Sequence, residues 1–250
     1  MTAPGAPPVG EVRDDRYELV RLRSLKVSSF LLVEETNGGR RGTLVDTGIL
    51  GQTRQLERAL ARLKMGWGDL QAILLTHGHL DHTVNLGAWR ERTGAPVYAH
   101  PADAPYLAGQ GRGRGWSRVG DWMEAVCRPL VGYRPQGIDR ELADGERLPF
   151  WGGLEVVHLP GHTPGHCGFW QPERGILFSG DLAAMDWGFF HPSPGIFTAD
   201  PSSLPGCFRR VATLRPRLAL ANHISLVSDA AFTRKLCARA AHETESEVAR

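Results

Sequence analysis

The stretch LLTHGHLDHTVN, Leu74 to Asn85, places three histidines and one aspartate within six consecutive positions directly behind a short apolar run. An apolar strand that ends in His77, His79, Asp81 and His82 delivers four polar groups to the edge of a sheet, where sites on α/β scaffolds commonly form. Imidazole nitrogen together with carboxylate oxygen suits zinc or another borderline divalent metal. The competing reading is a charged, solvated loop. Four ligand-type residues after one apolar strand weigh against it. Two ions a few ångströms apart need more donors than one loop supplies, so the rest must come from elsewhere in the chain.

Outward from this stretch the chain alternates strand and helix. Toward the N-terminus, YELVRLRSL, SFLLVEE and TLVDTG read as strands, with TNGGRRG joining the last two as a hairpin. Gln52 to Met65 then carries Leu56, Leu60 and Leu63 at helical spacing and stops at GWG. Beyond the histidines, the pattern predicts a helix from about Val84 to Arg92, a strand at Pro96 to His100 and a helix near Ala102 to Leu107. GQGRGRGWSRVG, Gly109 to Gly120, reads as a mobile surface loop because glycine and arginine dominate it. Its GxGxxG-like spacing neither follows a strand nor opens a helix, which argues against a phosphate cradle.

The second half repeats the plan. Hairpins are expected at GERLPFWGGLEVVHLPG and HCGFWQPERGILFSGDL, then a helix at PSSLPGCFRRVATLRP, the strand LALANHI and a terminal helix opening at Ser228. Two sheets packed face to face with helices outside make a four-layer αββα sandwich, an α+β fold, whose strand-end loops meet along one edge. Three further candidates sit at strand ends of this half: His162 in HLPGHTPGH, Asp181 in ILFSGDL and His223 in LALANHI. Lone histidines after strands are usually surface residues, but three candidates at the edge that receives the first cluster change that expectation.

Composition narrows the class. The 250 residues are 42% hydrophobic and 22% charged with a formal net charge of +2, as in an ordinary soluble domain without a membrane-spanning run. Nucleic-acid binding is not expected from so slight a basic excess. Cys127, Cys167, Cys207 and Cys237 are widely spaced with no C-x-x-C pair, which favours reduced thiols and a cytoplasmic setting. Residues 1–16 read as a flexible Pro/Gly-rich leader and 17–250 as one domain. A small-molecule substrate is the expected partner, and a homodimer is left open.

These residues resemble the metallo-β-lactamase superfamily, whose hallmark H-x-H-x-D-H is followed by a histidine, an aspartate and a histidine. His77, His79, Asp81, His82, His162, Asp181 and His223 match in order, TLVDTG looks like the family's early strand ending in Asp46, and the likeness runs from Tyr17 to Ile224. One departure is visible: Asn222 and Ile224 stand where the family usually has glycines. The resemblance implies two divalent ions, zinc first with manganese or iron as alternatives. His77, His79 and His162 would hold one, Asp81, His82 and His223 the other, and Asp181 would bridge. It implies a hydrolase in which a hydroxide between the ions attacks an ester, thioester, lactone or related bond, because coordination lowers the pKa of water to about 7. Asp81 is the candidate to orient that hydroxide and carry its proton. Asp46 would fix a ligand histidine from behind, and His166 is assigned a similar supporting role.

Two comparisons within the family sharpen the expectation. The chain has DLAAMDWGFF where glyoxalase-type hydrolases carry a cysteine- and arginine-containing segment, so glutathione thioesters are not favoured. An iron-dependent oxidoreductase resembling persulfide dioxygenases is the alternative, but such enzymes need only the first metal site. Ala183 to Asp200 has no periodicity and reads as an ordered loop, in which Trp187, Phe189 and Phe190 could line an apolar substrate pocket; packing over the core or in a dimer contact is an equal reading.

Overall fold

The computed structural model describes residues 15–111, 113, 115–225 and 227–248. The expected leader therefore lies almost wholly outside the described residues, as do Arg112 and Arg114 of the Gly/Arg stretch. The chain runs β1 (Tyr17–Ser24), β2 (Val27–Thr36), β3 (Gly39–Val45), α1 (Gln52–Leu63), β4 (Leu70–Leu74), α2 (Leu80–Thr83), α3 (Leu86–Thr93), β5 (Val97–Ala99), α4 (Ala104–Leu107) and α5 (Ser117–Leu130). It continues through β6 (Arg140–Glu141), β7 (Arg147–Leu148), β8 (Leu154–His158), β9 (Cys167–Gln171), β10 (Ile176–Gly180), β11 (Ala183–Asp186), β12 (Phe189–Pro192), α6 (Leu204–Leu214), β13 (Leu218–Ala221) and α7 (Asp229–Val248).

One sheet has the order β1-β2-β3-β4-β5-β6 and the other β13-β10-β9-β8-β7. Period-two alternation makes the layers. On β2, Phe30 and Leu32 face the other sheet and pack with Phe169, Phe178 and Trp151. Leu31 and Val33 face outward onto Leu56, Leu60 and Leu63 of α1 and onto Trp89. The second sheet likewise turns Val157, Leu177 and Ala219 onto Phe208 and Val211 of α6 and Phe232 and Leu236 of α7. The result is the αββα sandwich expected from the sequence. Strands β3 and β4 are parallel, and so are β10 and β13. Because β8 and β10 are both antiparallel to β9, the C-terminal ends of β8, β10 and β13 coincide. Asp46, the histidine cluster, His162, Asp181 and His223 follow these ends in turn.

Three expectations need correction. The cluster is not all loop: His79 is extended, with φ −67° and ψ 154°, and a separate turn of helix, α2, begins at Leu80. The helix expected from about Val84 to Arg92 is found as α3, Leu86–Thr93, and α2 is a turn of helix in front of it. The Gly/Arg stretch does not remain loop to Gly120, since α5 begins at Ser117. Only Ser117, Gly120 and Arg128 of α5 are buried; Val119, Trp122, Met123, Val126 and Leu130 recur at helical spacing, but that stripe is exposed instead of packed on the core. Residues 183–192 form a hairpin rather than an irregular loop. Its two-residue turn, Trp187 and Gly188, takes positive φ at both positions (53° and 86°), a geometry usually marked by Asn-Gly and masked here by tryptophan.

A candidate dinuclear metal centre

Past the C-terminal end of β4 the chain bends at Thr76 and, through the extended His79, enters α2, which brings His77, His79, Asp81 and His82 to one end of the sheet. His79 Nδ1 lies 2.8 Å from His162 Nε2, and that atom lies 3.1 Å from His77 Nε2. All three residues are buried. A tetrahedral ion with ligands at about 2.0–2.1 Å has ligand–ligand edges of roughly 3.3 Å, close to these separations. A second group, Asp81, His82, Asp181 and His223, also offers ligand atoms within 4.8 Å of one another. Asp181 lies between the two. Its Oδ2 is 3.1 Å from His223 Nε2 and 3.6 Å from His162 Nε2, and its Oδ1 is 3.4 Å from His82 Nε2.

His82 Nε2 and Asp181 Oδ1 are buried without a hydrogen-bond partner. Such atoms are costly unless something compensates them, and a cation between them would do so. The donor set of five imidazoles and two carboxylates therefore fits two borderline divalent ions.

The electrostatics divide the site. Burial, reinforced by neighbouring imidazoles, holds His77 and His162 well below the usual histidine range. Burial acts the same way on His82 and His223, but the carboxylates of Asp181 and Asp81 outweigh it: His82 is raised well above its ordinary value and His223 is pushed up to about 10. Asp181 and Asp81 are held low despite burial, by His223 and His82. Burial keeps His166 down at about 4, so at neutral pH its ring is uncharged. Its Nδ1 donates to the Leu159 carbonyl (2.9 Å) while Nε2 accepts the backbone N–H of Asp181 (2.9 Å). Gly180 makes this contact feasible: its φ is +54° and a Cβ there would meet His166 Nε2 at 2.4 Å.

Behind the ligand-type residues lies a buried polar layer. Asp46 Oδ1 accepts the Thr76 N–H (2.8 Å), and Oδ2 accepts from Thr76 Oγ1 (2.8 Å), His82 Nδ1 (3.0 Å) and Asn222 Nδ2 (2.7 Å). Asn222 also donates to the Ser28 carbonyl (2.8 Å). The residue that departs from the family's glycine thus ties both sheets to Asp46. His162 Nδ1 is bonded by the hydroxyl of Ser193.

Asp103 is the supporting residue that sequence reasoning missed. Fully buried, it accepts from the N–H of Gly78 (2.8 Å) and the hydroxyl of Thr163 (2.7 Å) on one oxygen, and from the N–H of Gly165 (2.7 Å) on the other. It clamps the His77–His79 loop to the His162 loop. Nothing marks it in sequence, where HPAD reads as an ordinary helix start. Asp103→Asn would turn an amide NH2 toward the Gly165 N–H, leaving that donor unpaired at about 1–3 kcal/mol. We expect a corresponding loss in thermal unfolding and about a tenfold loss of affinity for the first ion, measured by competition with a chromophoric chelator. Unchanged values in both would dissociate Asp103 from the loops.

A cleft of about 500 Å³ opens over His79, Asp81, His162, Asp181 and His223. The aromatics proposed from sequence do not line it. Trp187 and Phe189 are exposed, and Phe190 packs on Phe232 with ring centroids 5.8 Å apart. Phe197, Met123 and Leu50 line it instead.

A family model described as the metallo-beta-lactamase superfamily matches residues 23–223. The chain is 29% identical over 181 residues to the probable metallo-hydrolase YybB of Bacillus subtilis, covering 72% of this chain and 74% of that one. It is 28% identical over 150 residues to the hydroxyacylglutathione hydrolase GloC of Haemophilus influenzae, covering 57% and 61%. Among solved structures, the metallo-beta-lactamase family protein TTHA1429 from Thermus thermophilus matches with a TM-score of 0.66 at 24% identity, over 92% of this chain and 81% of that one. TTHA1623, solved in a di-iron-bound form, matches with a TM-score of 0.59 at 29% identity, over 82% and 90%.

Proposed function

The chain belongs to the metallo-β-lactamase superfamily and is a hydrolase of that family, and from this premise we propose that it cleaves an ester, thioester, lactone or related bond of a small molecule at a dinuclear centre. His77, His79 and His162 would hold one ion, Asp81, His82 and His223 the other, and Asp181 would serve both. When bound, the ions supply an acidified water and polarise the scissile carbonyl. The observation that carries the reading is the position of Asp181, within 3.6 Å of histidines from both groups.

The side chains divide the remaining work. The Asp81 side chain is 38% exposed against 12% for Asp181, so it can reach cleft water and pass a proton to the leaving group. Asp46 orients the His82 ring through Nδ1, Ser193 orients His162, and Thr76 Oγ1 lies 3.0 Å from His77 Nδ1. The four unpaired cysteines agree with a reducing, cytoplasmic setting. No helix among the described residues is long and apolar enough to cross a membrane.

Metal analysis of protein purified without chelators, followed by a panel of esters, thioesters, lactones, phosphodiesters and β-lactams, tests the proposal. Two ions per chain with hydrolytic turnover are expected. One iron per chain with oxygen consumption would replace it by the oxidoreductase reading, which the complete second group of donors disfavours.

The pKa pattern also predicts unequal pH dependence. His223 carries a proton below about pH 10 and His82 is raised too, so the second ion must expel up to two protons, and its affinity rises with pH by as much as tenfold per unit for each. His77 and His162 have no proton to lose near neutrality. Calorimetric titrations in buffers of different protonation enthalpy should show proton release concentrated in the second binding step; equal release in both steps would contradict the assignment.

A further inference from the structure

The walls of the cleft differ in character from its floor. The floor is the metal-ligand cluster. Its walls are apolar where Leu25, Ile49 and Leu50 line it from the N-terminal half of the chain, and where Met123, Val131 and Phe197 line it from α5 and the segments beyond. Leu25 and Leu50 are 86% and 61% exposed, which leaves apolar surface uncovered at the mouth. Two carboxylates reach the wall, and each already has a cation. Glu124 pairs with Arg128 at 2.8 Å and accepts the Leu80 N–H at 3.0 Å, while Asp186 pairs with Lys26 at 3.1 Å and accepts from Ser225 at 2.8 Å. Among the described residues that line the cleft, none is lysine or arginine. An anionic group away from the scissile bond would therefore lose water and find, among the described lining residues, mostly apolar side chains with Glu124 and Asp186 of like charge, beside the polar His191 and Ser193.

The wall that carries Met123 and Phe197 is also firmly built. Gly120 of α5 lies where a Cβ would meet the Ile196 carbonyl oxygen at 2.3 Å, so α5 is seated tightly on the segment that carries Phe197. Glu124 fastens the same helix to the first N–H of α2, next to Asp81. Met123 is thus held in fixed relation to the metal cluster.

Building on the hydrolase reading above, we propose that the cleft is an acyl-chain site and that the substrates are uncharged esters or lactones with an unbranched alkyl chain, rather than anionic thioesters such as those of glutathione. Each methylene laid against the Leu50 and Met123 walls leaves water for apolar surface. That is worth about fourfold in affinity per methylene until the cleft is full.

The experiment uses the metal-loaded protein with two series. In the first, p-nitrophenyl esters from acetyl to dodecanoyl are compared with esters of the same length that end in a carboxylate. In the second, alkanamides from butanamide to dodecanamide are titrated by calorimetry, a readout that needs no turnover. Expected results are a rise of kcat/KM and of alkanamide affinity of about fourfold per methylene followed by a plateau, and a preference for hexanoyl over adipoyl of order 10². Leu50→Lys and Met123→Lys, both at exposed positions, should flatten the chain-length response and narrow that preference about tenfold. Alkanamide affinity that does not depend on length, or a preference for the carboxylate-ended esters, would overturn the proposal. If no ester, thioester or lactone is turned over while alkanamide affinity still climbs with length, the hydrolase reading fails and the acyl-chain site stands. A dimer in gel filtration that buries α5 and excludes alkanamides would also overturn it.

Discussion

Asp181→Asn should abolish all but a trace of activity and leave one ion per chain instead of two. The substitution keeps the shape of the side chain, and the backbone N–H of residue 181 still donates to His166 Nε2, so the loop has no reason to move. What changes is charge and lone-pair count at a point that faces His162 on one side and His82 and His223 on the other. An amide presents one oxygen and one NH2 group, so it can serve one ion but repels the other. Loss of several kcal/mol of transition-state stabilisation corresponds to at least a 10³-fold fall in kcat/KM. Metal content by mass spectrometry and steady-state kinetics on the best ester or lactone check both parts together. Retention of two ions with less than a tenfold loss of activity would show that Asp181 does not bridge.

Asp46→Asn is expected to have the second-largest effect, mostly on stability. Asp46 is fully buried and accepts four hydrogen bonds, one on Oδ1 and three on Oδ2. An amide in its place cannot accept on both sides. With its oxygen toward His82 and Asn222, its NH2 opposes the Thr76 N–H; flipped, its NH2 opposes the side chains of His82 and Asn222. Breaking a buried network of this kind costs about 3–5 kcal/mol. The His82 ring then loses the acceptor that fixes its orientation, so affinity for the second ion should drop roughly 10- to 100-fold while the first is affected less. Denaturant unfolding of the chelator-treated protein isolates the stability part, and stepwise metal titration isolates the second. A stability loss under about 1 kcal/mol would mean that the network around Asp46 is water-exchanged rather than closed. Asn222→Gly, which restores the family's usual residue, should cost less because it removes only one donor to Asp46 and one to the Ser28 carbonyl.

Similarity to hydroxyacylglutathione hydrolases and the character of the cleft point to different substrates. The family match over residues 23–223 takes in the seven ligand-type residues at the strand ends. The acyl-chain site depends on the β1–β2 turn at Leu25, the loop at Leu50 and the helix α5, none of which belongs to the ligand motifs. Divergence of substrate within one scaffold is expected to concentrate in such loops and added helices.

The sandwich was legible because both sheets alternate their apolar residues with period two and the outer helices carry theirs at helical spacing; Phe30, Leu31, Leu32 and Val33 sort to opposite faces as that pattern requires. The ligand-type residues could be picked out as candidates because they lie in segments that leave apolar strands, β4, β8, β10 and β13, and parallel strands bring their C-terminal ends to one edge whatever the loops between them do. Less visible were α5, whose apolar stripe of Val119, Trp122, Met123, Val126 and Leu130 follows directly on the Gly/Arg stretch and stays exposed, and the β11–β12 hairpin, whose turn contains tryptophan in place of the usual asparagine.

By itself, then, the chain's residue order determined the layer architecture and which side chains would gather at the metal edge, since both follow from local periodicity. Only the tertiary structure decided what supports and surrounds them. Asp103 joins two loops that are far apart in the chain, Asn222 reaches Asp46 across the sheets, and Leu50 and Met123 come to line one cleft. Contacts between distant segments depend on how the packed layers place their loops in space, and no short-range pattern in the sequence encodes that placement.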